Sequence, residues 1–142
     1  MSVTLAEAHR IMKGAIARAR ELRADISVTV CDAYGRLIAL NRMDRAFSES
    51  NRGSIGKAIV TVASGRPSGE TEASVDWSLR TGTVIGEGAP IVRRRGGLPI
   101  IRGGVLEGAC GVSGAPSNEE EESCARAGLA KIGAGSSSNE DG

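Results

Sequence analysis

Aromatic side chains are almost missing from this 142-residue chain, which has one Phe, one Tyr and one Trp. A core must then be assembled from small aliphatic groups, which suits helices lying close on a sheet. Stacking platforms for bases are too few for single-stranded nucleic acid to be an expected partner. Charge of one sign is missing as well: 18 Lys and Arg stand against 17 Asp and Glu, leaving +1, so nothing draws the whole protein to nucleic acid or to an anionic membrane. No apolar run is long enough to span a bilayer and the N-terminal residues form no signal-peptide pattern, so no membrane partner and a cytoplasmic location are expected. The three cysteines, Cys31, Cys110 and Cys124, are odd in number and far apart, which argues against a disulfide framework and a Cys-based zinc site. Phosphate-cradling loops, His-Glu-x-x-His and Gly-x-Ser-x-Gly do not occur. Histidine occurs once, as His9.

What remains is an ordinary globular composition, 40% hydrophobic and 25% charged, of a length that suits one domain with one core. Thr4-Leu5-Ala6-Glu7 has capping-box spacing, and Leu5, Ala8, Ile11, Met12, Ala15, Ile16, Ala19 and Leu22 form a helical stripe, so a helix is expected over about residues 4–23. Ile26–Cys31 alternates as a strand, Asp32-Ala33-Tyr34-Gly35 is a turn signal, and Leu37–Leu40 returns. A second helix carries Ile55, Ala58, Ile59, Val62 and Ala63, stopped by Gly65 and Pro67. Residues 68–95 read mainly as loop, with a short helix possible around Val75, Trp77 and Leu79. Leu98–Ile101 and Val105–Val112, joined by Arg102-Gly103-Gly104, make a second hairpin. Ser117-Asn118-Glu119-Glu120 opens a last helix whose glutamates, Glu119–Glu122, read as a solvated, dipole-favoured first turn. The expected domain covers residues 1–132, and 133–142, with almost nothing to bury, form a disordered tail. Two hairpins and three helices give an α+β single domain with a central antiparallel sheet flanked by helices.

The stretch Gly96–Gly114 is the expected organising centre. Arg93-Arg94-Arg95 directly precedes Gly96-Gly97, and guanidinium forks beside free backbone N–H groups suit a carboxylate or phosphate. Arg93, Arg94, Arg95, Gly96 and Gly97 are therefore candidate ligand-binding residues, for haem propionates or for a small organic acid. If residues 93–97 are extended, Arg93 and Arg95 share one face and Arg94 takes the other. The alternative is a solvated basic loop or a subunit contact. His9 borders the apolar stripe of the first helix: it either packs at the helix–sheet boundary, acts as a general base, or is the axial metal ligand of a haem. One histidine alone cannot build the usual zinc site. Cys110 and Glu107 are the candidate catalytic groups, nucleophile and acid/base, with Glu87 a further acid/base candidate. Lys57 and Arg66, flanking the second helix, read as dipole complements.

These residues resemble the GlcG/HbpS-like family, also called the haem-degrading domain family. The matching pieces are Leu5-x-x-Ala8, Ile26–Asp32 with Gly35, Arg42-Met43-Asp44, Ser54-Ile55 with Lys57-Ala58, Gly65-Arg66-Pro67, Gly96-Gly97-Leu98-Pro99-Ile100, Gly108-Ala109-x-Gly111-Val112-Ser113-Gly114 and Ala125-Arg126-Ala127-Gly128. The resemblance implies a profilin-like fold and a homo-oligomer built from dimers, up to tetramers or octamers. It also implies haem as a possible cofactor, or a place in a catabolic operon for glycolate or diols. Two departures fall on the organising centre: Arg93-Arg94-Arg95 stands where an apolar or proline-containing lead is usual, and Cys110 where Ile is common. They suggest a pocket retuned for a small anionic ligand. The expected function is thus an oligomeric binder of haem or of a small anionic ligand. The alternative is a small catabolic enzyme acting on an organic acid, of ring-cleavage or hydroxy-acid type, with Arg94 or Arg95 holding the substrate carboxylate.

Overall fold

The structure, a computed structural model, describes residues 2–70 and 91–134. The tail expected over 133–142 does not begin at 133, since Ala134 is buried in the core and its N–H donates to the Leu129 carbonyl. Residues 135–142, the stretch around Trp77 where a short helix is expected, and Glu87 lie outside the described residues. Helix α1 (Leu5–Glu21) starts as its capping box requires, the Glu7 N–H donating to Thr4 Oγ1 at 3.1 Å and the Thr4 N–H to Glu7 Oε1 at 3.0 Å. Strands β1 (Ser27–Asp32) and β2 (Leu37–Arg42) form the first hairpin. Its turn is held by the Asp32 carboxylate, which accepts the N–H groups of Tyr34 and Arg36 at 2.9 and 3.0 Å. Helix α2 (Glu49–Ser64) ends at Gly65, whose φ of 72° a side chain would resist. A single 3-10 turn covers Ser68–Glu70.

Strands β3 (Gly97–Arg102) and β4 (Val105–Ser113) turn through Gly103-Gly104, at φ 58° and 78°. Those paired positive angles are what a two-residue hairpin turn needs. Helix α3 (Asn118–Ala130) is capped by Ser117, whose Oγ accepts the Glu120 N–H at 3.1 Å. The two hairpins join through β1 and β4 into one antiparallel sheet of order β2-β1-β4-β3. Pro99, which cannot donate to a neighbour, sits on the edge strand β3. The α+β expectation is met, with α1 and α3 packed on each other over one sheet face and α2 over the other. No helix among the described residues is long and apolar enough to cross a membrane.

Strand alternation divides the core between these faces. Val28, Val30, Leu98, Ile100, Cys110 and Val112 meet Ile11, Met12, Ala15, Cys124 and Leu129 in one large apolar cluster. The opposite face carries only a small cluster of Cys31, Ala58, Val62 and Ala109. The same face also carries hydroxyls and glycines, with Thr29 Oγ1 and Ser27 Oγ each 2.7 Å from a serine hydroxyl of α2, Ser54 and Ser50.

Candidate functional site

The expected rim at Gly96-Gly97 is already committed to the fold. The Gly97 N–H donates to Ser68 Oγ at 2.9 Å, and the Ser68 hydroxyl donates in turn to the Arg94 carbonyl. The Gly96 carbonyl accepts the Val112 N–H at 2.9 Å. Both glycines are buried, and a Cβ on Gly97 would run into the Lys57 carbonyl and the Thr61 hydroxyl of α2. These glycines serve close approach between helix and strand, and the Gly97 amide is taken by Ser68 instead of being offered to an anion.

The three arginines divide otherwise than expected. The chain bends at Arg94 and Arg95 instead of running extended. Arg95 turns to α3, pairing with Glu122 at 2.7 Å and Glu119 at 3.6 Å. Arg93 and Arg94 stay together on the rim of a cleft of about 760 Å³ lying between α2, residues 91–94, and the β4–α3 connection. The Arg94 guanidinium is exposed and makes no ion pair among the described residues.

At the inner wall of this cleft lies a buried ion pair. Lys57 Nζ donates to Glu121 Oε1 at 2.6 Å and to the Val112 carbonyl at 3.0 Å, and the Gly114 N–H donates to Glu121 Oε2 at 2.8 Å. The two side chains are 3% and 7% exposed. Burial pulls the Lys57 ammonium below its usual range, Glu121 pushes it back up, and the nearby Arg94 charge lowers it further. Because α2 lies on one face of the sheet and α3 on the other, this pair clips the two helical layers together around the end of β4.

Lys57 is therefore no dipole complement: it sits mid-helix and buried. The acidic run is only partly a solvated helix start, since Glu119 is exposed while Glu121 and Glu122 are buried in ion pairs. The signal was present in the sequence. Between Arg52 and Arg66, Lys57 is the lone charge in an apolar and hydroxyl-bearing run, and a buried lone charge requires a partner.

The candidate catalytic groups are dispersed. Cys110 points into the α1/α3 core with no exposure, and burial, then the other two cysteines, push its thiol far above the ordinary range. It cannot serve as a nucleophile, because the thiolate is disfavoured and substrate has no path to it. Burial likewise pushes Cys31 up to about 12 and Cys124 to about 11. Glu107, on the first half of β4, is bound to Arg102, which also holds Glu7 of α1. That network ties a helix to the sheet and contributes nothing to the cleft's lining. His9 is not packed at the helix–sheet boundary: it stands exposed on α1. Nearby on the same helix, Arg10, Lys13, Gly14 and Ala17 join Lys131 in lining a shallow groove of about 450 Å³. No group of three or more His, Cys, Asp or Glu able to hold a metal ion occurs among the described residues.

A family model described as haem degrading protein HbpS-like matches residues 3–130. An uncharacterized 15.0 kDa protein in the dhaT-dhaS intergenic region of Citrobacter freundii is 32% identical over 114 residues, covering 80% of each chain. The corrinoid adenosyltransferase PduO of the same organism is 29% identical over 133 residues, 93% of this chain and 39% of that protein. The crystal structure of a PduOC:heme complex superposes with a TM-score of 0.79 at 25% identity, covering 96% of this chain and 99% of that one.

Proposed function

The chain belongs to the HbpS-like family, and from that premise we propose that it binds haem through His9 on the outer face of α1, as a homo-oligomer. The observation that carries this reading is the position of His9: the one imidazole of the chain stands in solvent, where its ring nitrogens can reach an iron. Its surroundings fit the group. Leu5 and Lys13, four residues to either side, share its stripe of the helix. Leu5 is 54% exposed and can lie against a porphyrin ring, and Lys13 with Arg10 and Lys131 offers cations to propionates. The cleft beside Arg94 does not fit haem, since its described lining holds no His, Cys, Met or Tyr to ligate iron. Bound haem supplies a redox-active iron; the residues of this chain orient it and neutralise its carboxylates. Haem held by His9 on this open helix face would stand largely in water, and a second copy of the chain would cover it.

The test is a haemin titration followed in the visible spectrum, with light scattering on the same samples. A stoichiometric Soret shift is expected, lost in His9→Ala and accompanied by a mass of two or more chains. A shift of equal size in His9→Ala, or none in the native protein, overturns the haem reading; a single-chain mass with haem bound overturns the assembly.

A further inference from the structure

We propose that the cleft between α2, residues 91–94 and the β4–α3 connection binds a small organic monocarboxylate with an apolar body, gripped by the Arg94 guanidinium. This site is separate from the haem reading and shares no residue with it.

The argument starts from charge. Within the cleft Lys57 and Glu121 cancel, and Arg95, the rim's neighbour, is satisfied by Glu119 and Glu122. Arg94 is left with a planar fork of donors and no carboxylate among the described residues. A guanidinium in that state matches a carboxylate by two parallel hydrogen bonds. Lys57 adds a second donor from the inner wall: two of its three N–H groups are taken by Glu121 and Val112, and no acceptor among the described residues takes the third. Its charge and that of Arg94 oppose each other across the cleft, a repulsion that an intervening anion relieves.

The same inventory sets the class of anion. The Glu121 carboxylate belongs to the lining, so a doubly charged phosphate meets a like charge that a monocarboxylate meets at half the cost. Apolar side chains also line the cleft, among the hydroxyls of Ser113 and Ser117. Phe47 is 56% exposed at the mouth, Val92 lies against Gly56 so closely that a Cβ on that glycine would strike it, and Pro116 closes the far side. A volume of about 760 Å³ is that of a small-molecule pocket.

The experiment is an amide-resolved NMR titration of the whole chain with sodium benzoate, using inorganic phosphate and benzylammonium as comparators. Expected are saturable benzoate shifts at Gly53, Ser113 and Asn118, weaker binding of phosphate, and none of benzylammonium. Arg94→Gln, an exposed change that leaves the rest of the amide spectrum in place, should weaken benzoate roughly tenfold or more. Phe47→Ala should weaken benzoate more than acetate. Wild-type affinity in Arg94→Gln, shifts centred elsewhere, or tighter binding of phosphate or benzylammonium overturns the site. His9→Ala should bind benzoate as the native chain does, so a failed haemin titration and a failed benzoate titration are told apart.

Discussion

On the α1/α3 side of the sheet, Val28, Val30, Leu98, Ile100 and Val112 press on Ile11, Met12 and Leu129, all close to fully buried. On the α2 side the same strands present Ser27, Thr29, Gly97 and Gly111. The first face contributes stability by area, since each large side chain it buries stabilises by about 1.5–3 kcal/mol. The second face gains about 0.5–1.5 kcal/mol per hydroxyl pair, yet it sets distances more tightly. A Cβ on Gly111 would run into the Ser54 carbonyl, so α2 can lie this near the sheet only over a glycine. That near approach is what brings Lys57 to the Val112 carbonyl and opens the cleft beside it. The apolar layer holds the protein together, and the polar layer builds the place where a ligand can sit.

The contrast breaks most sharply at Lys57. Lys57→Met leaves Glu121 buried without its cation and should cost about 4 kcal/mol of unfolding free energy in urea. Glu121→Leu on that background should recover most of the loss, because the uncompensated charge is then gone; no recovery would mean that packing, not charge, sets the cost. Across the sheet, Leu129→Ala should cost about 3 kcal/mol through the cavity it leaves, and no second substitution of charge will restore it. Gly111→Ala should cost about 2 kcal/mol by pushing α2 off the sheet. The same variant should also move amide resonances at Ser113 and Asn118, which Leu129→Ala should leave alone.

This division explains what the sequence reveals and what it conceals. The apolar layer is legible because its signal is periodic: the stripe from Ala8 to Ala19, the alternation Ile26, Val28, Val30, and the paired glycines at 103 and 104 each announce a local geometry that the chain adopts. The site is less legible because it depends on pairings between distant residues. Lys57 and Glu121 lie 64 residues apart, and each by itself looks like surface charge. His9 follows buried Ala8 and precedes buried Ile11 and Met12, so the stripe suggested a boundary position, but its side chain falls just outside the buried arc. The bend at Arg94 and Arg95, which reverses the expected grouping of the arginines, has no local motif. It follows from Ser68 tying the Arg94 carbonyl and the Gly97 N–H at one hydroxyl.

A smaller effect sharpens the polar side alone. Thr29→Val removes the hydroxyl that meets Ser54, while Ser54 keeps its bond to the Asn51 carbonyl at 2.9 Å. The expected cost is about 1 kcal/mol, and it should fall in Ser54→Ala, where the partner is already gone. Additive losses in the double variant would show that the two hydroxyls do not act as a pair.

The least effect is expected at the edge of the apolar side, and it is read by pH. Arg102 donates to the Glu7 carboxylate and, with the Thr4 N–H, holds Glu7 well below the usual carboxylate range, at about 2. An unfolded glutamate titrates near about 4.3. Glu7 therefore stabilises the fold fully above that value and loses its contribution as pH falls through the folded one. The stability difference between the native chain and Glu7→Gln should accordingly be constant from pH 7 to about 5 and shrink towards about pH 2. Lys57 gives the same sign in a different window: its lowered affinity for the proton makes the folded state gain on the unfolded one as pH rises towards the alkaline range. A difference for Glu7→Gln that stays flat into acid would mean that Arg102 spends its charge on Glu107 alone, and that α1 is held to the sheet by its apolar stripe without help from that ion pair.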